Sequence, residues 1–392
     1  MRWLYGLNRI IFLTTNAEQV DGYPDPDLPA QTHHPDYGCT ARREQVMETN
    51  RAAGSIESAG NRRSFMRAAA GLSLAIPGLG MMAHGAQARD FPRQTSGHGH
   101  GAAAVGEPPE GFRLYDPVLA PVEAGPKQIT VTARDATLPI SKDVNFAGWT
   151  YDGTIPGKML RVVEGDTIDF TFKVDEAALI GHSLDFHSAR VSPDDKYRTI
   201  SQGEELSYTF TAEYPGVYMY HCGTPPILMH LGAGMYGAMI VDPKEGWSPA
   251  REFAFVQGEY YLTDDGTGTD TMTSNYVAML GNGTPSMTVF NGYANQYVEH
   301  PIPCQVGEPM RVFVMNAGPN VWSSFHVVGT IFDRAYVNGN PKNELIGLQS
   351  ISIGPGDGAV VEFTLPEPGH YPFVNHSFGH ATQGAVGLFL AE

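Results

Sequence analysis

The chain of 392 residues carries 42 acidic against 25 basic side chains, a formal net charge of −17. The first 88 residues hold eight of each sign, so the acidic excess belongs to residues 89–392; this excludes nucleic acid and anionic membrane surfaces as charge-selected partners. Three cysteines are too few for a disulfide framework.

Residues 1–60 lack hydrophobic periodicity, as expected if translation starts further in, at Met47. Arg62-Arg63-Ser64-Phe65-Met66 then precedes an uncharged run, Ala68 to Met82, closed by Ala86-Gln87-Ala88. That pattern predicts a twin-arginine export signal with a small-x-small cleavage site, and a periplasmic or otherwise exported protein. The run, about 15 residues with three glycines and a proline, is too short to span a bilayer, so the mature form has no membrane span. Residues 1–88 thus read as N-terminal extension and signal, with the mature chain starting near Arg89. Residues 89–124 read as a linker, in which His98 and His100 sit on a Gly/Ala stretch with no strand pattern.

From Gln128 the sequence breaks into short alternating runs with turn signals every 8–12 residues, among them Ile129–Val131, Met159–Val163, Ile168–Phe172 and Leu206–Phe210. The expected class is all-β, a sandwich. Two halves echo each other. Gly203-Glu-Glu-Leu-Ser-Tyr-Thr-Phe leading to Tyr214-Pro-Gly-Val-Tyr-Met-Tyr-His is matched by Gly358-Ala-Val-Val-Glu-Phe-Thr-Leu leading to Glu367-Pro-Gly-His-Tyr-Pro-Phe-Val-Asn-His. The prediction is one sandwich duplicated in tandem, over residues 125–245 and 246–392, with the junction near Asp242–Pro249.

The stretch Tyr214–Met235 concentrates the chemistry. Cys222 is followed by His230 eight residues on and Met235 five further. Singly, a Cys reads as a small buried hydrophobe and a Met as core filler. Together, a thiolate, an imidazole and a thioether are the ingredients of a blue-copper centre that lacks one His. Gly181–His187 reads as a strand and supplies it. Strand side chains alternate faces, so His182 and His187, five apart, point oppositely, as do the neighbours His221 and Cys222. Pairing by face gives two sites. His182 and Cys222 on one face are completed by His230 and Met235. On the other, His187 and His221 are joined by Asp185, two residues from His187. A third imidazole there must come from elsewhere, and the second half offers His376 and His326 at repeat-related places. A single site using four of these groups is the competing arrangement, and it leaves the outer histidine pair unexplained.

These motifs resemble the copper-containing nitrite reductases, especially their short-loop class, over residues from about 125 to 392. The likeness rests on H-x-x-D-F-H (His182–His187), Y-H-C with eight residues to M-H (Tyr220–His230), G-M-Y-G (Gly234–Gly237), S-S-F-H-V-x-G (Ser323–Gly329) and a C-terminal H-S (His376-Ser377). The resemblance implies two tandem Greek-key cupredoxin β-sandwich domains and two coppers per subunit. It puts type 1 copper on His182, Cys222, His230 and Met235, and type 2 copper on His187, His221 and the His376 of a neighbouring subunit in a homotrimer. It makes Asp185 and His326 the proton-delivering pair and places Val328 over the substrate, nitrite; read alone, Val328 is an ordinary core Val. No C-x-x-C-H haem motif occurs, so electrons are expected from a separate cupredoxin or c-type cytochrome. Ser183 stands where most members carry Asn, Gln349 and Ser350 replace a Glu-Thr pair of the longer-loop class, and Ala189–Tyr197 is more polar than usual.

Two alternatives compete. An oxygen-reducing two-domain multicopper oxidase needs four H-x-H pairs, and only His98/His100 is present. A nitrite reductase-like multicopper oxidase with another substrate, or a non-catalytic copper electron-transfer protein, is the other reading; loss of Asp185 or His326 would favour the non-catalytic protein, and both are present.

Overall fold

The computed structural model describes residues 115–266, 271–281 and 283–392. The twin-arginine stretch and the His98/His100 pair lie outside the described residues.

Period-2 alternation builds the first sandwich. In Thr167–Val174, Ile168, Phe170, Phe172 and Val174 face inward while Thr167, Asp169 and Lys173 face solvent; Glu205–Thr211 alternates likewise. These belong to a six-stranded sheet ordered Leu262–Asp264, Thr271–Ser274, Val144–Tyr151, Lys127–Ser141, Thr167–Val174, Glu205–Thr211. Facing it is a four-stranded sheet ordered Leu160–Val163, Tyr236–Asp242, Gly216–His221, Asp185–Phe186. Phe170, Phe172, Phe186, Tyr151 and Tyr220 fill the space between. Each such ring contributes roughly 1.5–3 kcal/mol on burial, and Phe170→Ala would cost about 3–5 kcal/mol. Lys127–Ser141 runs parallel to Thr167–Val174, a pairing that needs a crossover and not a hairpin.

The second sandwich pairs a six-stranded sheet, ordered Met287–Phe290, Arg251–Tyr260, Met310–Gly318, Gly358–Phe363, Phe332–Val337, Glu344–Leu348, with a five-stranded one. The latter is ordered Ile302–Cys304, Val386–Ala391, Gly369–Asn375, Ser323–Val327, Ile351–Ile353. Its core is aromatic, with Phe255 stacked on Phe373 at 4.5 Å between ring centroids.

A third core, including Val217, Met219, Ile240, Ala254, Phe313 and Val360, joins the halves. It explains why Tyr236–Asp242 and Met310–Gly318 are buried along their whole length: one face meets its own sandwich and the other meets the opposite half. Arg311 is buried at this junction against Glu252 (2.7 Å) and Glu362 (2.6 Å), and Arg161 binds Asp242 and Glu252 beside it. Removing one partner from such a cluster costs about 3–5 kcal/mol. Two strands from beyond Pro249, Leu262–Asp264 and Thr271–Ser274, extend the first sheet, with Thr271 parallel to Asn145. Cys222 and Cys304 are both buried free thiols. Among the described residues no helix is long and apolar enough to cross a membrane.

Candidate metal centres

Cys222 directly follows the strand Gly216–His221, and its N–H donates to the Met235 carbonyl at 3.1 Å. His230 lies in the short helix Ile227–Gly232, and the Met235 N–H donates back to the His230 carbonyl at 3.1 Å. Between them Gly234 takes φ +110°, a conformation open to glycine at no steric cost. This turn returns the chain to the sheet with Met235 buried in the same core as Cys222.

The expected strand Gly181–His187 is shorter in the structure: only Asp185–Phe186 pairs, opposite His221 and Tyr220. His182 instead exchanges backbone hydrogen bonds with Ile200 at 3.0 and 2.9 Å. The reason is burial. His182, Ser183 and Leu184 are all buried, which consecutive residues of a flat strand flanked by solvent cannot achieve, so the chain coils inward. The ligand atoms of His182, Cys222 and His230 lie within 4.8 Å of one another, all three residues buried.

Both ring nitrogens of His182 and Nε2 of His230 are buried without a hydrogen-bond partner. Each such group costs about 1–3 kcal/mol if nothing satisfies it, so one nitrogen of each ring is open to a bound metal. Burial, reinforced by the nearby His230, lowers the His182 pKa to about 4. Burial also lowers that of His230, against the opposing Pro226 carbonyl. Both imidazoles are therefore neutral at pH 7, the form that ligates. The Pro226 carbonyl, 3.1 Å from Nδ1, can only accept, so Nδ1 carries the hydrogen and Nε2 offers its lone pair. The Ser183 N–H donates to the Cys222 sulfur at 3.4 Å. The Trp149 ring stands 4.8 Å from His230 and 5.7 Å from His182, covering both. Sequence reasoning missed Trp149, because a tryptophan on an alternating strand has no ligand signature.

The second grouping is Asp185, His187 and His221, again with ligand atoms within 4.8 Å but more open to solvent. His221 and His187 face each other with their Nε2 atoms 3.1 Å apart. His221 Nδ1 donates to the Cys222 carbonyl at 3.0 Å, which leaves its Nε2 lone pair for a cation. Burial, then the proximity of His221, lowers the pKa of His187, with Asp185 opposing.

His326 and His376 form a third place: their rings stand 5.5 Å apart, and neither belongs to the two groupings above. His326 Nδ1 is hydrogen-bonded to the Gln349 carbonyl. Val328 is 40% exposed beside them, so it is no core valine of this chain.

Backbone bonds make the repeat relation explicit. The Asn375 N–H donates to Ala385 as Cys222 does to Met235, and Ala385 donates to His380 as Met235 does to His230, each at 3.1 Å. His187 N–H bonds Met219, and Val328 N–H bonds Pro372. Cys222 therefore corresponds to Asn375, His187 to Val328, Asp185 to His326, and His376 lies one residue past the Cys222 equivalent.

A family model described as multicopper oxidase matches residues 132–246. The copper-containing nitrite reductase of Neisseria gonorrhoeae is 36% identical over 263 residues, covering 66% of this chain and 66% of that protein; the chain spans about two thirds of such relatives. The copper nitrite reductase structure from Nitrosomonas europaea is 38% identical with a TM-score of 0.63, covering 68% of this chain and 94% of that one. The copper-containing nitrite reductase structure from Thermus scotoductus is 32% identical with a TM-score of 0.62, covering 68% and 62%.

Proposed function

The chain belongs to the copper-containing nitrite reductase family, and from that premise we propose that it reduces nitrite to nitric oxide at a type 2 copper fed by a type 1 copper. Its sandwiches are the tandem cupredoxin domains of that family. The observation that carries the reading is the His221–Cys222 peptide: its two side chains belong to the two groupings, and the His221 ring donates to the Cys222 carbonyl.

In this reading His182, Cys222, His230 and Met235 hold type 1 copper, and His187, His221 and the His376 of a second copy hold type 2 copper in a homotrimer. Copper supplies a one-electron couple at the first site and, at the second, a positive charge that neutralises nitrite. The reaction consumes one electron and two protons per nitrite and releases nitric oxide and water. Asp185 stands close enough to His187 and His221 to hold a proton at the substrate. His326, its Nδ1 engaged by Gln349, keeps Nε2 free to exchange the second. Val328, exposed beside His326, excludes water from above the substrate. The electron comes from a separate cupredoxin or c-type cytochrome, and the enzyme works after twin-arginine export, in the periplasm or an equivalent space.

The test is nitric oxide release from nitrite by copper-loaded protein supplied with an artificial reductant. A fully loaded protein that releases none sinks the proposal.

A further inference from the structure

The second half keeps the framework of the first metal position but has exchanged its side chains. Ser323, Asn375, His380 and Ala385 stand where the first half has His182, Cys222, His230 and Met235. One interaction survives the exchange: the Ser324 N–H donates to Asn375 Oδ1 at 3.1 Å, as the Ser183 N–H donates to the Cys222 sulfur.

We propose that Asn375 is a positioning residue that sets His376 and His326 for the shared copper site; this rests on the functional reading above. Asn375 is fully buried. Its Oδ1 accepts from the N–H groups of Ser324 and Ser377, each at 3.1 Å. Its Nδ2 donates to Gln257 Oε1 at 3.2 Å and to the Trp322 carbonyl at 3.0 Å. Two acceptor and two donor positions are the full capacity of a carboxamide. The His376 N–H donates to the Ser324 carbonyl at 2.7 Å, so the chain is pinned at His376 and at both its neighbours.

The same bonds fix the strand Ser323–Val327, which carries His326 two residues past Ser324. Gln257 is itself held, donating to Asn316 Oδ1 at 3.2 Å, while Asn316 Nδ2 donates to the carbonyls of Val321 (2.8 Å) and Ile353 (3.0 Å). A cysteine here could accept from Ser324 but could not bridge to Gln257 and Trp322. This is a physical reason for an amide where the first half has a thiol. The position that binds metal in one half has become, in the other, a clamp that presents an imidazole to a neighbour.

The test compares copper-loaded full-chain wild type, Asn375→Ala and Asn375→Asp. Removing the carboxamide takes this partner from the Ser324 and Ser377 N–H groups, from Gln257 Oε1 and from the Trp322 carbonyl, and partners behind metal ligands typically govern affinity by roughly 10- to 100-fold. Asn375→Ala is expected to weaken type 2 copper binding on that scale in a chelator titration. It is also expected to alter the type 2 paramagnetic resonance signal while leaving the type 1 visible band unchanged. Asn375→Asp keeps both acceptor bonds but turns a carboxylate oxygen toward the Gln257 and Trp322 oxygens, so it too is expected to weaken type 2 copper binding. If Asn375→Ala does not fold, Asn375→Ser, too short to reach Ser324 and Gln257 together, carries the same expectation. Wild-type affinity and signal in the folded variant would overturn the clamp. Crystal structures separate this proposal from the functional reading. Even if wild type turned over no nitrite, displaced His376 and His326 imidazoles in the variant would support the clamp, and unmoved ones would refute it.

Discussion

Asp185 and His326 hold the same ladder position in the two halves: Asp185 pairs opposite His221, and His326 opposite Val374, the residue that corresponds to His221. One sandwich thus presents a carboxylate beside two imidazoles, and the other presents an imidazole pair. Neither set by itself supplies all the groups of the proposed catalytic centre, and in the proposed homotrimer two copies in head-to-tail contact would supply them together. The duplicated framework accounts for this complementarity, because equivalent strand ends put different side chains on equivalent outward faces.

The first prediction concerns Asp185. Asp185→Asn keeps shape but cannot shuttle a proton, so turnover is expected to fall about 10²-fold or more, the scale of one acid–base group. Copper content and the visible band are expected to stay at wild-type levels, since Asp185 is not assigned as a ligand. Steady-state rates with both coppers quantified check this; an undiminished rate at full loading would remove Asp185 from the mechanism.

Cys222 carries the second. Oxidised, copper-loaded protein is expected to be blue or green from thiolate-to-metal charge transfer. Cys222→Ala is expected to lose the colour and keep a second, colourless copper signal in paramagnetic resonance. Retention of the visible band would show that another group supplies the sulfur.

How much of this was legible in the sequence depends on range. The alternation in Thr167–Val174 and the Cys222/His230/Met235 spacing are local patterns, and they led to the sandwich and the buried grouping. The inward coil at His182–Leu184 was not legible, because it is imposed by the need to bury three consecutive residues against Cys222. Nor was the addition of Leu262–Asp264 and Thr271–Ser274 to the first sheet, since strand pairing across that distance leaves no periodic trace. Asn375 reads as an ordinary polar residue until Gln257, more than a hundred positions away, is seen to meet it.

The shared site yields a third prediction. His376→Ala is expected to lose type 2 copper and keep the visible band, and His187→Ala likewise. Mixing the two inactive proteins under subunit exchange is expected to restore part of the activity, because some interfaces then join an intact His187/His221 face to an intact His376. If exchange is demonstrated by mass and no activity returns, the site does not cross between subunits.

The last prediction is an acid sensitivity of the metal-free protein, set by the imidazoles. Burial holds His182 at about 4 in the folded chain, against an unfolded value near 6.5. Above about 6.5 the ring is neutral in both states and pH has no leverage through it. Between those values the unfolded chain takes up a proton that the folded chain refuses, so stability falls as pH falls. Below about 4 both states are protonated and this loss levels off. His187 and His230 are shifted in the same direction and add to the slope. Copper binds the neutral imidazoles of the folded state, so loading is expected to raise the unfolding temperature at pH 7 and to lose that advantage as protons compete for the ligands. Thermal unfolding of metal-free wild type and His182→Gln at a series of pH values between 7 and 4 is the measurement. His182→Gln cannot titrate and is expected to lose less stability over that interval; an identical decline in both proteins would mean that His182 is not held neutral by the fold.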